Sequence, residues 1–115
     1  MHEISLVQGL LQQLGDLAAE NQATRILSVT MEIGPQSGVV ADSFRFGFEI
    51  LAAESDLVRG AQLIVETPPA RYSCTGCGHV LETADSKPDA CPACGDFLLL
   101  AQGGDDLILR QVEME

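Results

Sequence analysis

Four cysteines, arranged as two closely spaced pairs, are the residues of this chain best suited to chemistry. Cys74 and Cys77 form one C-x2-C pair, and Cys91 and Cys94 form the other. Thirteen residues lie between the pairs, which leaves room for a short hairpin. Each pair can direct two thiolates to one metal ion, and four thiolates make the closed tetrahedral set of a structural zinc site. The spacing therefore predicts Zn²⁺ bound by all four cysteines, holding a small lobe together.

Other uses of four cysteines fit this sequence less well. Disulfides need an oxidising compartment, and the amino terminus lacks the basic and apolar regions of a signal peptide. A thioredoxin-like redox site needs one C-x-x-C rather than two, and iron–sulfur clusters generally use other spacings. The sequence shows no Ser-His-Asp arrangement and no phosphate loop, and four thiolates leave no open position on zinc. We therefore expect no enzymatic activity.

The first three residues, Met1, His2 and Glu3, form a second group of potential metal ligands. The imidazole and the backbone nitrogen of His2 can chelate one ion, and the Glu3 backbone nitrogen and the Met1 amine can each close a further ring. Such nitrogen ligands suit square-planar Ni(II) or Cu(II). The three outer nitrogens must each lie cis to the His2 nitrogen, so the trans position must be filled from elsewhere, for example by Asp42. The alternative is a solvated His2, with Glu3 favouring the helix N-terminus.

The chain is strongly acidic, with a formal net charge of −11 from 17 acidic and 6 basic residues among 115. Such a surface repels phosphate backbones, so we expect no nucleic-acid binding. It suits cations or a basic protein partner. No apolar run reaches membrane-spanning length, so we also expect no membrane association and predict a cytoplasmic protein with reduced thiols.

Hydrophobic periodicity predicts two helices and several strands. The first helix carries its apolar stripe from residue 4 to about 20, and Asp42 or Ser43 is expected to cap the second, which runs to about residue 55. Alternation or short apolar runs predict strands at residues 25–33, 61–67, 97–101 and 107–114. The order strand, helix, strand implies a right-handed parallel crossover.

The predicted fold class is α+β, with two helices packed on a small mixed three-stranded sheet and an inserted zinc-ribbon-like lobe. We expect residues 1–69 to form the α+β domain that would bind nickel and residues 70–103 to form the zinc lobe. Residues 104–115 would provide a C-terminal strand that returns to the first domain. The apolar run from Phe97 to Leu100 is predicted to be core, with a docking strand as the alternative.

The opening Met1-His2-Glu3-Ile4-Ser5-Leu6, combined with the two C-x2-C pairs, resembles the HypA/HybF family of hydrogenase maturation proteins over the full length. The resemblance implies that His2 is the essential nickel ligand, assisted by the Glu3 backbone nitrogen, and that the four cysteines hold structural zinc. It implies Ni²⁺ as a transferred cargo, a HypB-type GTPase as partner, and the [NiFe]-hydrogenase large subunit as recipient. Some members have a histidine beside each cysteine pair, whereas here His79 follows the first pair and Asp96 the second.

The sequence thus predicts a nickel metallochaperone for [NiFe]-hydrogenase maturation. The alternative is a zinc-ribbon adaptor that binds proteins and transfers no nickel. Docking that depends neither on nickel nor on His2 would favour this alternative.

Overall fold

The computed structural model describes residues 2–84 and 87–115, and of His2 it describes the backbone. Two helices and six strands follow one another along the chain. They are α1 (His2–Glu20), β1 (Ile26–Ile33), α2 (Ala41–Ala52), β2 (Gln62–Glu66), β3 (Ala70–Cys74), β4 (Val80–Thr83), β5 (Leu99–Ala101) and β6 (Leu107–Met114). Within the described ranges, neither helix is long and apolar enough to cross a membrane.

The chain forms two compact units that each combine separate segments. The first, here called the helical unit, comprises Met1–Glu32, Val39–Glu66 and Ile108–Glu115. The second, here called the cysteine unit, comprises Ile33–Gly38 and Thr67–Leu107. The chain therefore passes from one unit to the other four times.

A mixed sheet of three strands, in the order β2-β1-β6, forms the framework of the helical unit. β1 and β2 run parallel, with Ser28 opposite Gln62 at the start of the register. Arg25 and Glu115 exchange backbone hydrogen bonds of 3.2 and 2.9 Å, the reciprocal pattern of antiparallel neighbours, beside the pairing of β1 with β6. The predicted mixed three-stranded sheet is confirmed.

The two helices bury the apolar stripes that their sequences predict. Gly47 of α2 faces the first turn of α1, since a Cβ there would lie 2.9 Å from Ile4 Cδ1, and the glycine therefore permits a close crossing. The predicted cap of α2 is wrong, because the helix begins at Ala41 with Val40 as N-cap, a position that makes no side-chain capping hydrogen bond. Asp42 lies inside the first turn, where its charge can act on the helix dipole instead. The fully or nearly buried residues of the helices are Val7, Leu10, Leu14, Ala18, Phe44, Gly47, Phe48 and Ala52.

The burial of β1 departs from simple alternation near the start of the strand, at its second and third residues. The alternating sequence of this strand would place Leu27 on the apolar side with Val29 and Ser28 on the opposite, polar side. In the structure Leu27 is 40% exposed and Ser28 only 6% exposed. The Ser28 hydroxyl donates a hydrogen bond of 2.6 Å to the Glu113 carboxylate of β6, so its burial leaves no unsatisfied polar group. Val29 and Met31 are buried as predicted.

The cysteine unit contains a second three-stranded sheet, in the order β4-β3-β5, with both pairings antiparallel. Its small core consists of Ala70, Tyr72, Cys74, Cys91 and Leu99, with Leu81 packed against it. The predicted strand over residues 97–101 shortens to Leu99–Ala101, and the core role predicted for this run holds for Leu99 alone. Leu98 and Leu100, on either side of Leu99, are exposed because a three-stranded sheet with one packed face buries only alternate positions. Phe97, which precedes β5, is exposed as well.

Two loop segments of the cysteine unit meet at Gly34. The Gly34 N–H donates to the Asp106 carbonyl over 2.9 Å, and the Gln36 N–H donates to the Gly104 carbonyl over 2.7 Å. A Cβ on Gly34 would overlap the Gly104 carbonyl, and Gly104 itself has φ of 75°, a conformation that favours glycine. The two glycines therefore allow the backbones to approach closely.

Candidate metal centre

The four cysteine sulfurs converge on one point of the cysteine unit. All four ligand atoms lie within 4.8 Å of one another. The sulfurs of Cys74 and Cys94 are 3.5 Å apart, and those of Cys77 and Cys91 are 3.7 Å apart. Tetrahedral zinc with Zn–S bonds of about 2.3 Å requires sulfur separations of roughly 3.8 Å. The cluster therefore fits a zinc ion in size, ligand number and ligand type.

The two cysteine pairs have the same backbone geometry. In each, the first cysteine accepts a backbone hydrogen bond from a glycine four residues on, Gly78 over 3.0 Å and Gly95 over 2.8 Å. These glycines have φ of 77° and 80°, which L side chains rarely adopt. Each pair is thus a tight turn that directs two sulfurs to one side, as the sequence predicts.

Backbone N–H groups support the sulfurs at equivalent positions of both turns. Gly76 N–H approaches the Cys74 sulfur at 3.3 Å, and Ala93 N–H approaches the Cys91 sulfur at 3.4 Å. Such donors stabilise the thiolate form that a metal requires. The sequence analysis does not predict these donors. The C-x2-C spacing could have indicated them, because in both turns the donor is the second residue after the first cysteine.

His79 and Asp96 occupy equivalent places in the two turns. The Cys74 N–H donates to the His79 carbonyl over 2.9 Å, and the Cys91 N–H donates to the Asp96 carbonyl over 2.8 Å. The Asp96 carboxylate lies against Gly76 of the opposite turn, where a Cβ would collide with it. The second turn therefore carries a carboxylate where the first carries an imidazole, and the described ligand group contains sulfur alone.

The hydrogen bonds at the cluster separate the acidities of its thiols. Burial favours the neutral Cys91 thiol, but N–H donors of Cys94 and Ala93 and the neighbouring thiols outweigh it and lower its pKa to about 6. The Asp96 N–H acts to lower the pKa of Cys94, yet the Cys74 sulfur and desolvation raise it to about 12. Closely spaced thiolates repel one another, so a cation is needed before all four can ionise together.

Of the predicted nickel ligands, the backbone nitrogens of His2 and Glu3 lie at the start of α1. Met1 and the side chain of His2 are outside the described residues, so their role as ligands stays a prediction. The α-helix begins at His2, and the N–H groups of a first helical turn have no carbonyl partner within the helix. The His2 and Glu3 backbone nitrogens are therefore not needed for helical hydrogen bonds.

Asp42, the residue suggested for the remaining nickel position, lies near Glu3. Both line one cavity of about 430 Å³ in the helical unit, together with residues of α1 and α2. The first turns of the two helices thus bring both carboxylates to the region where the chain begins.

Comparison with known proteins gives matches over essentially the whole chain. A family model described as "Hydrogenase/urease nickel incorporation, metallochaperone, hypA" matches residues 1–114. The hydrogenase maturation factors HypA of Alkalilimnicola ehrlichii and Azotobacter chroococcum are 36% and 37% identical to this chain, and each match covers 100% of both chains.

Two solved structures have the same fold. The solution structure of the Ni metallochaperone HypA from Helicobacter pylori matches with a TM-score of 0.66 and 27% identity, covering 97% of this chain and 96% of that one. Another HypA solution structure matches with a TM-score of 0.69 and 28% identity, covering 100% and 97%. These matches, the two helices, the mixed sheet and the four-cysteine cluster confirm the predicted α+β fold class. The chain belongs to the HypA family of nickel metallochaperones for hydrogenase maturation.

Proposed function

We propose that this chain carries Ni(II) at its amino terminus and delivers it to the large subunit of [NiFe]-hydrogenase, working with a HypB-type GTPase. His2 would bind through its imidazole and backbone nitrogen, with the Glu3 backbone nitrogen beside them and the Met1 amine as a further donor. The observation that carries the proposal is that α1 begins at His2, since a helix start leaves these nitrogens without helical partners. Asp42, on the cavity that Glu3 also lines, is a candidate for the remaining position.

The four cysteines would hold Zn²⁺ for structure alone. The separations of Cys74, Cys77, Cys91 and Cys94 suit a tetrahedral ion, and four thiolates leave no position for a substrate or water. When bound, zinc would link the two turns and balance the thiolate charge. Because thiolates must stay reduced to bind it, we place the protein in the cytoplasm and assign it no bond-making chemistry.

The two histidines of the chain provide a test with a matched control. His2→Ala in untagged protein should abolish stoichiometric Ni(II) binding in calorimetry and leave zinc content unchanged. His79→Ala removes the only other histidine and should leave both metals unchanged. A chain that begins at Ile4 should behave like His2→Ala. Nickel affinity that survives in His2→Ala would reject the amino-terminal site.

A second candidate function is an adaptor that binds proteins through the cysteine unit without carrying nickel. The observation favouring it is the exposure of Phe97, Leu98 and Leu100 around β5. In that case hydrogenase maturation in cells would depend on these side chains and would tolerate His2→Ala.

A further inference from the structure

An apolar surface remains open on the helical unit beside the start of α1. Phe46 is 63% exposed and Ile50 is 47% exposed, and the two lie one turn apart on α2. With Ile4 of α1 they line the cavity of about 430 Å³. This volume is within the range of clefts that bind small-molecule ligands, so it has room for a large side chain. Adjacent large apolar side chains at such exposure mark interaction surfaces more often than isolated ones do.

The helix crossing explains why this cavity forms. Phe44 and Phe48 point into the core, and Gly47 meets Ile4, so α2 uses its inner face for α1 and the sheet. Phe46 and Ile50 lie on the neighbouring face and extend beyond the contact with α1. A partner can therefore bind there without displacing any core residue.

The rim of the cavity is acidic. Glu3 and Asp42 line it, and neither takes part in an ion pair within residues 2–84 and 87–115. Arg45, the one basic residue of α2, is not among the lining residues, and its guanidinium approaches the Leu63 carbonyl of β2 at 3.5 Å. An apolar floor with unpaired carboxylates at its edge complements a segment that has a large apolar side chain flanked by Lys or Arg.

We propose that the groove formed by Ile4, Phe46 and Ile50, with its acidic rim of Glu3 and Asp42, is the docking site for a basic, apolar segment of the protein partner that works with this chain in nickel delivery. Its identity as a nickel-delivery partner rests on the proposed function. The docked segment would lie beside Glu3, and hence next to the residues proposed to hold nickel. Acceptor ligands would then reach the ion over a short distance, while zinc stays within the cysteine unit.

Phenylalanine substitutions in the two units test the site. The full-length chain is titrated, by surface plasmon resonance, against two separate probes, the purified HypB-type GTPase and the purified hydrogenase large subunit. Phe46→Ala should weaken binding of at least one probe by roughly 10- to 100-fold. Phe97→Ala, which changes the same residue type at a position 79% exposed in the cysteine unit, should leave it unchanged. Circular dichroism and nickel stoichiometry should match the unmodified chain in both variants.

Two substitutions at one position test the predicted charge of the partner. Ile50→Glu and Ile50→Lys both remove the apolar contact, so both should weaken binding. Because the partner segment is basic, Ile50→Lys should weaken it further than Ile50→Glu, by roughly 3- to 10-fold at low salt, and added salt should narrow that gap.

Several outcomes would overturn the proposal. They are unchanged affinity in Phe46→Ala, a loss confined to Phe97→Ala, a larger loss with Ile50→Glu than with Ile50→Lys, and no binding of either probe to the unmodified chain. A light-scattering shift from dimer to monomer in Phe46→Ala, with partner affinity intact, would assign the groove to a second copy of this chain. The nickel proposal fails separately, because His2→Ala removes nickel binding without altering the groove.

Discussion

The helical unit and the cysteine unit reach stability by different means. Large apolar side chains fill the helical unit, where Phe44, Phe48, Leu14, Ile26 and Val29 are almost inaccessible to solvent. Among the described residues, five form the core cluster of the cysteine unit, and two of these, Cys74 and Cys91, belong to the metal cluster. Burial of apolar side chains can therefore stabilise the fold of the helical unit. The cysteine unit needs, in addition, the metal ion that its sulfurs are positioned to bind.

Under the proposed function, the contrast also suits the two metals to different tasks. Four sulfurs that lie between paired turns enclose an ion from all sides, which favours retention. Nitrogens at the first residues of a helix can approach an ion from one side and leave the other to an acceptor. On this proposal, retention and release of a metal ion depend on different positions in the fold and not merely on different ligand atoms.

Loss of the metal cluster should have the largest effect, because it should unfold the cysteine unit and leave the helical unit largely folded. Cys91→Ser, or removal of zinc by a chelator, should unfold the cysteine unit, since binding of structural zinc contributes on the order of 10 kcal/mol. Tyr72, the only tyrosine of the chain and buried in that unit, reports on it through near-ultraviolet circular dichroism. The signal at 222 nm reports on α1 and α2 and should largely remain. A native Tyr72 signal in metal-free protein would show that five core residues suffice.

Truncation of a buried aromatic side chain should destabilise the helical unit and leave the cysteine unit folded. Phe48→Ala removes a side chain only 2% exposed and should lower the free energy of unfolding of the helical unit by about 3–5 kcal/mol. Zinc content and the Tyr72 signal should persist in urea concentrations that abolish the 222 nm signal. Phe46→Ala, on the same helix but exposed, is the control and should change stability by less than about 0.5 kcal/mol. Equal decreases in the free energy of unfolding of the two variants would contradict the burial of Phe48 and the exposure of Phe46.

A smaller effect is expected at the contact between Gly34 and Gly104, where close backbone packing, and not the metal, contributes to the stability of the cysteine unit. Gly34→Ala places a Cβ against the Gly104 carbonyl and should destabilise this unit by about 1–3 kcal/mol, measured from the urea dependence of the Tyr72 signal. Gly9→Ala is the matched control, because a Cβ there meets no described atom within 4 Å. That change should instead stabilise α1 by about 0.5–1 kcal/mol.

The smallest effect concerns the attachment of β6 to β1. Ser28→Ala removes the donor of the 2.6 Å hydrogen bond to Glu113 and should cost the helical unit about 1 kcal/mol in thermal or urea unfolding. Ser28→Thr keeps the hydroxyl and should retain part of that contribution. An unaltered unfolding midpoint in Ser28→Ala would mean that solvent replaces the hydrogen bond fully.

The longer helices and strands, and the convergence of the cysteines, could be predicted from the sequence. Both helices, β1, β2 and β6 follow from apolar periodicity, and the convergence of Cys74, Cys77, Cys91 and Cys94 follows from two C-x2-C turns. These signals are local, so they can be read without the tertiary structure.

The failures lie where tertiary contacts decide. β3 and β4 were not predicted as strands, because four or five residues give too little periodicity and their pairing is organised by the cysteine turns. Leu27 and Ser28 exchange their expected burial because Glu113, 85 residues away in the chain, accepts the serine hydrogen bond. The groove at Phe46 and Ile50 was also missed, since its formation depends on where α1 crosses α2.

The interleaving of the two units has a consequence for how metal supply acts on the protein. β6 completes the sheet of the helical unit, yet the 40 residues 67–106 separate it from β2. If zinc folds most of that segment, the effective loop falls to about ten residues, and the entropic cost of closing it falls by about 1 kcal/mol. If the helical unit carries nickel as proposed, zinc starvation would thus loosen the nickel-carrying half of the molecule, although that half contains none of the sulfur ligands. Shortage of one trace element would appear, physiologically, as a defect in the handling of another.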